Sequence, residues 1–256
     1  VAPAPASPVL SGIITKSGVL AITRVIYYAA GADVIRGTWV QYTWMTLALV
    51  TVFMGSMMAY KEQVLKKRLA YSTVSQVSYI LFGLSILNAE GLVGALSHFV
   101  FHSVVKNCLF LAAGVVIFQT GKKTVGELKG LGKQMPVTMW CFTLVSITLV
   151  GIPPTSGFVS KWYLALGSLK EGTGAGACIG PVVLLMSAML TAGYLLPISI
   201  QSFFPGTEAE EGVSCSREPG FLMLIPMLLF TAAAVLFGMF PDTFMGFLQT
   251  IAAAVL

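Results

Sequence analysis

Ser97-His98-Phe99-Val100-Phe101-His102-Ser103-Val104-Val105-Lys106-Asn107 lies in the middle of a long apolar stretch, residues 91–118. His98, His102 and Lys106 recur at i, i+4 and i+8, which on a helix makes one stripe. At ~1.5 Å per residue, a helix over that stretch is long enough to cross a bilayer. Three titratable side chains on one face of a spanning helix are costly in lipid. Such residues mark an ion or proton path.

The rest of the chain agrees with a membrane setting. Of 256 residues, 56% are hydrophobic and 10% are charged, and the mean hydropathy is +0.86. A soluble domain carries roughly 25% charged residues. The length allows about eight spanning segments of ~20 apolar residues. Continuous apolar runs without period-two alternation argue helices rather than a barrel. The sequence therefore predicts an all-α polytopic membrane protein with about seven to eight transmembrane helices, one of them broken. The spans fall near residues 10–30, 42–60, 69–87, 91–118, 137–150 continuing into 158–169, 181–203 and 221–240. A last short segment, 241–256, can span or lie at the surface.

A net charge of +5 invites a nucleic-acid reading, but the basic residues sit mostly in two loops, so no nucleic-acid partner is expected. Lys61, Glu62, Lys66, Lys67 and Arg68 join the second and third spans. Lys122, Lys123, Glu127, Lys129 and Lys133 join the fourth and fifth. Alternation puts both loops on one side, which the positive-inside rule makes cytoplasmic. The loop at residues 205–219 belongs there too, although it carries four Glu and one Arg. Cys108, Cys141, Cys178 and Cys215 have no metal or disulfide spacing, so no metal site is expected. The Pro-rich start lacks the charged region of a signal peptide and reads as a loop inside a longer polypeptide.

The fifth span is interrupted by Gly151-Ile152-Pro153-Pro154-Thr155-Ser156-Gly157. The prolines remove two backbone donors, and the glycines supply permissive backbone. In a membrane such a break survives where protein or a wet cavity satisfies the freed carbonyls, and broken helices commonly build ion sites. The alternative is a loop between two short helices with Lys161 at an interface. Lys16, Arg24, Lys106 and Lys161 fall within apolar spans, while no Asp or Glu lies deep in any span. Arg24, nearer an end, snorkels. Ser11, Gly12, Thr15, Ser17 and Gly18 around Lys16 permit close packing and leave room for water. Buried lysines and histidines can exchange protons near neutral pH. Ser72, Ser75 and Gln76 give the third span a polar flank, which serves either as a water-holding extension of a relay or as helix–helix contact.

These pieces resemble the antiporter-like membrane subunits of respiratory complex I, Mrp-type cation/proton antiporters and membrane-bound hydrogenases. The matching pieces are Ala4-Pro5-Ala6-Ser7-Pro8-Val9-Leu10-Ser11-Gly12 leading to Lys16; Leu65-Lys66-Lys67-Arg68-Leu69-Ala70-Tyr71-Ser72-Thr73-Val74-Ser75-Gln76; His98, His102 and Lys106 followed by Leu109-Phe110-Leu111-Ala112-Ala113-Gly114; and Gly151-Ile152-Pro153-Pro154 through Gly157-Phe158-Val159-Ser160-Lys161.

The resemblance implies a proton relay through Lys16, His98, His102, Lys106 and Lys161, without redox centre, catalytic residue or cofactor in this chain. Ser72, Ser75, Gln76 and Ser156 would support it, and Gly151, Pro153, Pro154 and Gly157 would form the helix break. The implied activity is ion translocation in a redox-driven proton or sodium pump. The alternatives are a subunit of an Mrp-type secondary Na+/H+ antiporter and a non-transporting assembly subunit.

The family fold has two inverted five-helix repeats. Here residues 1–30 would be the last helix of the first repeat, 38–203 the second repeat, and 220–256 the C-terminal helices, forming a single transmembrane domain. The implied partners are other membrane subunits, peripheral Fe–S or flavin subunits, a chain or segment supplying the N-terminal half, and lipid. The expected location is a prokaryotic cytoplasmic membrane.

Overall fold

The computed structural model describes residues 6–171, 175–206 and 218–256. The Pro-rich start up to residue 5 and most of the acidic loop, with Cys215, lie outside them. The described residues form nine principal helices: α1 Ala6–Ala30, α2 Trp39–Lys61, α3 Leu65–Ser85, α4 Ala89–Thr120, α5 Pro136–Val150, α6 Ser156–Glu171, α7 Ala175–Phe203, α8 Phe221–Met239 and α9 Asp242–Val255. The one β contact among them is an isolated bridge.

Helices α1, α2, α4 and α8, with α7 from Cys178 onward, are long and apolar enough to cross a membrane. Helix α3 is also 21 residues long, but it begins with Lys66, Lys67 and Arg68 and carries Ser72, Thr73, Ser75, Gln76 and Ser78. The serines, Thr73 and Gln76 are buried, so α3 stands inside the bundle rather than at its lipid face. Apolar α2 instead exposes Leu47, Val50, Met54 and Met58, as a lipid-facing helix does.

Helix α4 is the axis of the fold. Asn88 caps it by accepting from Gly91 N–H at 2.8 Å and also donates to Gly167 O, tying α4 to the end of α6. Gly121, left-handed at φ 71°, ends it. Helices α5 and α6 follow α4 end to end. Met139, Phe142, Val145 and Leu149 pack in one core with Val105, Leu109 and Val116. Beyond the break, Ser160 bonds His98, Leu164 lies against Gly94, and Gly167 lies against Gly91. At ~1.5 Å per residue neither half-helix spans alone. In series along one partner they make a single interrupted span.

The two basic loops meet: Leu65 N–H donates to Lys123 O and Val125 N–H to Gln63 O. They occupy one end of the bundle, as charge and alternation predict. The end of α7 joins them through Gly130 N–H donating to Gln201 O. There Glu218 accepts from the Val137 and Thr138 amides and from the Thr138 hydroxyl, capping α5. Helix α9, 14 residues long, buries Met245, Leu248 and Ala252 and sets Phe244 against Phe101 and Phe237.

Candidate ion-translocation path

Five amine or imidazole side chains from three helices share the bundle interior. Lys16 (α1), His98, His102 and Lys106 (all α4) are buried, and Lys161 (α6) is partly buried. No Asp or Glu is buried among the described residues.

Lys16 sits just after a π-helical turn, Leu10–Ile14, and its Nζ donates to Ser11 O at 2.6 Å. The widened turn leaves that carbonyl free for side chains, and Thr15 Oγ1 donates to it as well. Gly12 is where α1 and α4 touch: a Cβ there would meet Asn107 Oδ1 at 2.1 Å. Gly18 has nothing within 4 Å, so only one of the two glycines serves packing inside this chain. Arg24 is exposed, as a snorkelling residue near a helix end should be.

Lys16 and Lys106 are connected through α3. The Ser11 and Thr73 hydroxyls lie 2.8 Å apart, Thr73 Oγ1 donates to Leu69 O, and Lys106 Nζ donates to that same carbonyl at 3.1 Å. Lys106 Nζ also donates to Ser72 Oγ at 2.8 Å, which further accepts from the Tyr194 hydroxyl at 2.7 Å. The serine and threonine flank of α3 thus holds Lys106 directly and meets the Lys16 turn through the Ser11 hydroxyl.

His98 is held at both ring nitrogens, with Ser160 Oγ 2.9 Å from Nδ1 and Gln76 Oε1 3.1 Å from Nε2. Its ring stacks on Tyr79 at 5.4 Å and on His102 at 5.9 Å. Neither ring nitrogen of His102 has a partner among the described residues. The two histidines, with Phe101, Val105, Thr148, Leu149 and Gly157, line a cavity of about 10 Å³, which is about one water-sized probe sphere.

Lys161 answers the question posed by the helix break. Gly151, left-handed at φ 89°, closes α5 and leaves its last carbonyls without helical donors. Lys161 Nζ donates to two of them, Leu149 O at 2.7 Å and Val150 O at 2.8 Å. A cation at a helix C-terminus also complements the helix dipole. Its ammonium lies 5.3 Å from the Tyr79 ring centroid. Gly157 is required because a Cβ there would stand 1.8 Å from Thr148 O. Pro153 and Pro154 lie in the connection between the two halves.

Two of the predicted supporting residues lie elsewhere. Ser75 belongs to a serine cluster with Ser56 and Ser187 and donates to Val52 O, packing α3 against α2 and α7. Ser156 donates to Ala234 O and pins the start of α6 to α8. Both face neighbouring helices rather than the lysines. Conversely Tyr79 touches Lys161 and His98, Ser160 bonds His98, and Tyr194 bonds Ser72 beside Lys106, and these three were not singled out from the sequence. Ser160, adjacent to Lys161, offered a weak signal. The two tyrosines, each inside a span, offered none.

The family model for the transmembrane region of NADH:quinone oxidoreductases and Mrp antiporters matches residues 1–191. The chain belongs to this NADH:quinone oxidoreductase/Mrp antiporter family. It is 36% identical over 251 residues to NADH-quinone oxidoreductase subunit N of Desulforudis audaxviator, covering 94% of this chain and 49% of that protein. Against a Na(+)/H(+) antiporter subunit of Bacillus subtilis it is 30% identical over 237 residues, 93% of this chain and 46% of the relative. Among solved structures it superposes with TM-score 0.84 on a chain of the membrane-bound sulfane sulfur reductase, an archaeal respiratory membrane complex. That match is 25% identical and covers 99% of this chain and 50% of the other. The chain therefore spans about half the length of the curated family members it matches, and its fold is that of an antiporter-like membrane subunit.

Proposed function

We propose that this chain is the ion-translocating part of a membrane subunit in a redox-driven pump, moving protons (or sodium) along Lys16, His98, His102, Lys106 and Lys161. The observation that carries this reading is the row of buried amines and imidazoles with no buried carboxylate among the described residues. Isolated charges in such a place are costly, and a group that sheds its proton escapes the cost. Each lysine is held by neutral oxygens that accept from an amine as well as from an ammonium. Like charges along the row repel, so arrival of a proton at one station favours its departure from the next. Lys161, at the break, exchanges with the side away from the basic loops.

On this reading residues 1–30 end the first repeat, 38–203 form the second, and 220–256 add the C-terminal helices. The partners are further membrane subunits, a segment or chain supplying the first repeat, peripheral Fe–S or flavin subunits, and surrounding lipid. The membrane is a prokaryotic cytoplasmic membrane with the basic loops inside.

A second reading, a subunit of a secondary cation/proton antiporter, is supported by the 30% identity to a Na(+)/H(+) antiporter subunit. Co-purification with Fe–S or flavin subunits favours the first reading. Proton movement driven by a sodium gradient alone favours the second. The test common to both is transport by the assembled complex in proteoliposomes carrying Lys106→Ala or Lys161→Ala. Both variants are expected to assemble and to lose nearly all coupled transport. Normal transport in both would overturn the relay.

A further inference from the structure

His98 is the one path residue with a hydrogen-bonding partner at each of two chemically distinct faces, and those partners restrict where its hydrogens can sit. Gln76, buried on α3, presents Oε1 to His98 Nε2 at 3.1 Å, while its own amide nitrogen has no partner among the described residues. An amide oxygen only accepts, so Nε2 must carry hydrogen in every state that keeps this bond. Nδ1 faces Ser160 Oγ at 2.9 Å, and Ser160 Oγ is 3.1 Å from a second acceptor, Gly157 O, in the first turn of α6. A serine hydroxyl has one hydrogen and two acceptor lone pairs, so it serves Nδ1 in either of two roles. Toward a bare Nδ1 it donates. Toward a protonated Nδ1 it accepts, and its own hydrogen turns to Gly157 O.

We propose that Gln76 and Ser160 are positioning residues that confine proton exchange on His98 to Nδ1, with the Ser160 hydroxyl as the hinged donor between the ring and the helix break. This rests on the relay reading above. In the step itself, an incoming proton, carried by water or by an ammonium group, bonds to a lone pair of Ser160 Oγ. The hydroxyl's original hydrogen passes to Nδ1. The carrier's bond to that proton breaks and leaves neutral water or amine, one O–H bond forms and one breaks at Ser160, one N–H bond forms at Nδ1, and the ring becomes an imidazolium with both N–H groups donating. Release uses the same nitrogen but a different receiver: Nδ1–H returns its proton to Ser160 Oγ, and the hydroxyl gives up its own hydrogen to a neighbour other than the one that loaded it, so the station still passes a proton along the row. No ring rotation is needed, which suits a ring stacked between Tyr79 and His102. The buried, fixed acceptor on one side and the two-way hydroxyl on the other make His98 a one-sided station facing the break.

The experiment is histidine side-chain 15N spectroscopy on the full-length subunit in its native complex, with His98→Gln subtracted to isolate the His98 signals. The neutral ring is expected to carry its hydrogen on Nε2, and Gln76→Leu is expected to abolish that preference. A neutral ring with hydrogen on Nδ1, or a preference that survives Gln76→Leu, would overturn the assignment. Ser160→Ala is expected to keep the Nε2–H form and slow coupled transport at least tenfold, with Ser160→Thr recovering part of it. Unchanged transport in Ser160→Ala would overturn the role of the hydroxyl. Lys106→Ala, run beside these, reads the relay independently. Full transport there removes the relay while leaving the spectroscopic result standing.

Discussion

Lys161 Nζ donates to Val150 O across the break at 2.8 Å, so the residue that places an amine inside the membrane also completes the hydrogen bonding of the interrupted helix. The same amine holds Leu149 O. Lys161→Met is expected to leave both carbonyls unpaired, at ~1–3 kcal/mol for each one that stays buried. Thermal unfolding of the purified complex, with proteolysis between Gly151 and Thr155, measures the loss. Lys161→Gln, which keeps a donor, is expected to recover part of the stability and little of the transport.

Gly157 and Gly18 make a matched pair. A Cβ at Gly157 meets the Thr148 carbonyl at 1.8 Å, whereas one at Gly18 meets nothing within 4 Å. Gly157→Ala is therefore expected to destabilise by about 1–3 kcal/mol or more, because α6 must move off α5. Gly18→Ala should leave the stability of this part of the fold within ~0.5 kcal/mol. Yields of assembled complex under increasing detergent stress distinguish the two.

Tyr79 lies between Lys161 and His98, with its hydroxyl donating to Leu184 O at 2.9 Å. Tyr79→Phe keeps the ring and loses one hydrogen bond, about 1 kcal/mol. Tyr79→Leu also removes the stacking and the aromatic face under the ammonium, roughly 1–2 kcal/mol more. Transport is expected to survive in the first variant and to fall severalfold in the second. Equal transport in both would remove any part for the ring.

At the loop end, Glu127 closes a capping box with Thr124 and accepts from the Thr124 and Lys123 amides at 2.9 Å. Those bonds hold its carboxyl below the usual carboxylate range. A depressed acid contributes its stabilisation above its unfolded pKa and loses it as pH falls through the lower folded value. Exchange protection of the Lys123 and Thr124 amides should hold at neutral pH and collapse only below the ordinary range. In Glu127→Gln the pH-dependent part should be missing.

The sequence shows the spans because lipid demands continuous apolar runs, and it shows the His98–His102–Lys106 stripe because helical spacing is local. The break is visible in Pro153 and Pro154, and the partner of Lys161 is half visible, since a broken helix must have its carbonyls met somewhere. What stays hidden depends on which helix faces which. Ser72 and Ser75 are three residues apart on α3 and chemically alike. Yet Ser72 accepts from Lys106, and Ser75 is turned to Ser56 and Ser187 on other helices. Only packing brings the Tyr79 ring to Lys161 and the Tyr194 hydroxyl to Ser72, the partner of Lys106.

The backbone pairing of Leu65 with Lys123 and of Val125 with Gln63 works as a clasp between the starting end of α3 and the finishing end of α4. Sliding one helix past the other by a single residue, ~1.5 Å, would break both links. The lysines and histidines that rest on α3 and α4 therefore ride on a fixed frame. On the proposed reading, ion movement here proceeds by turning side chains and shifting charge, not by a piston stroke of these two helices.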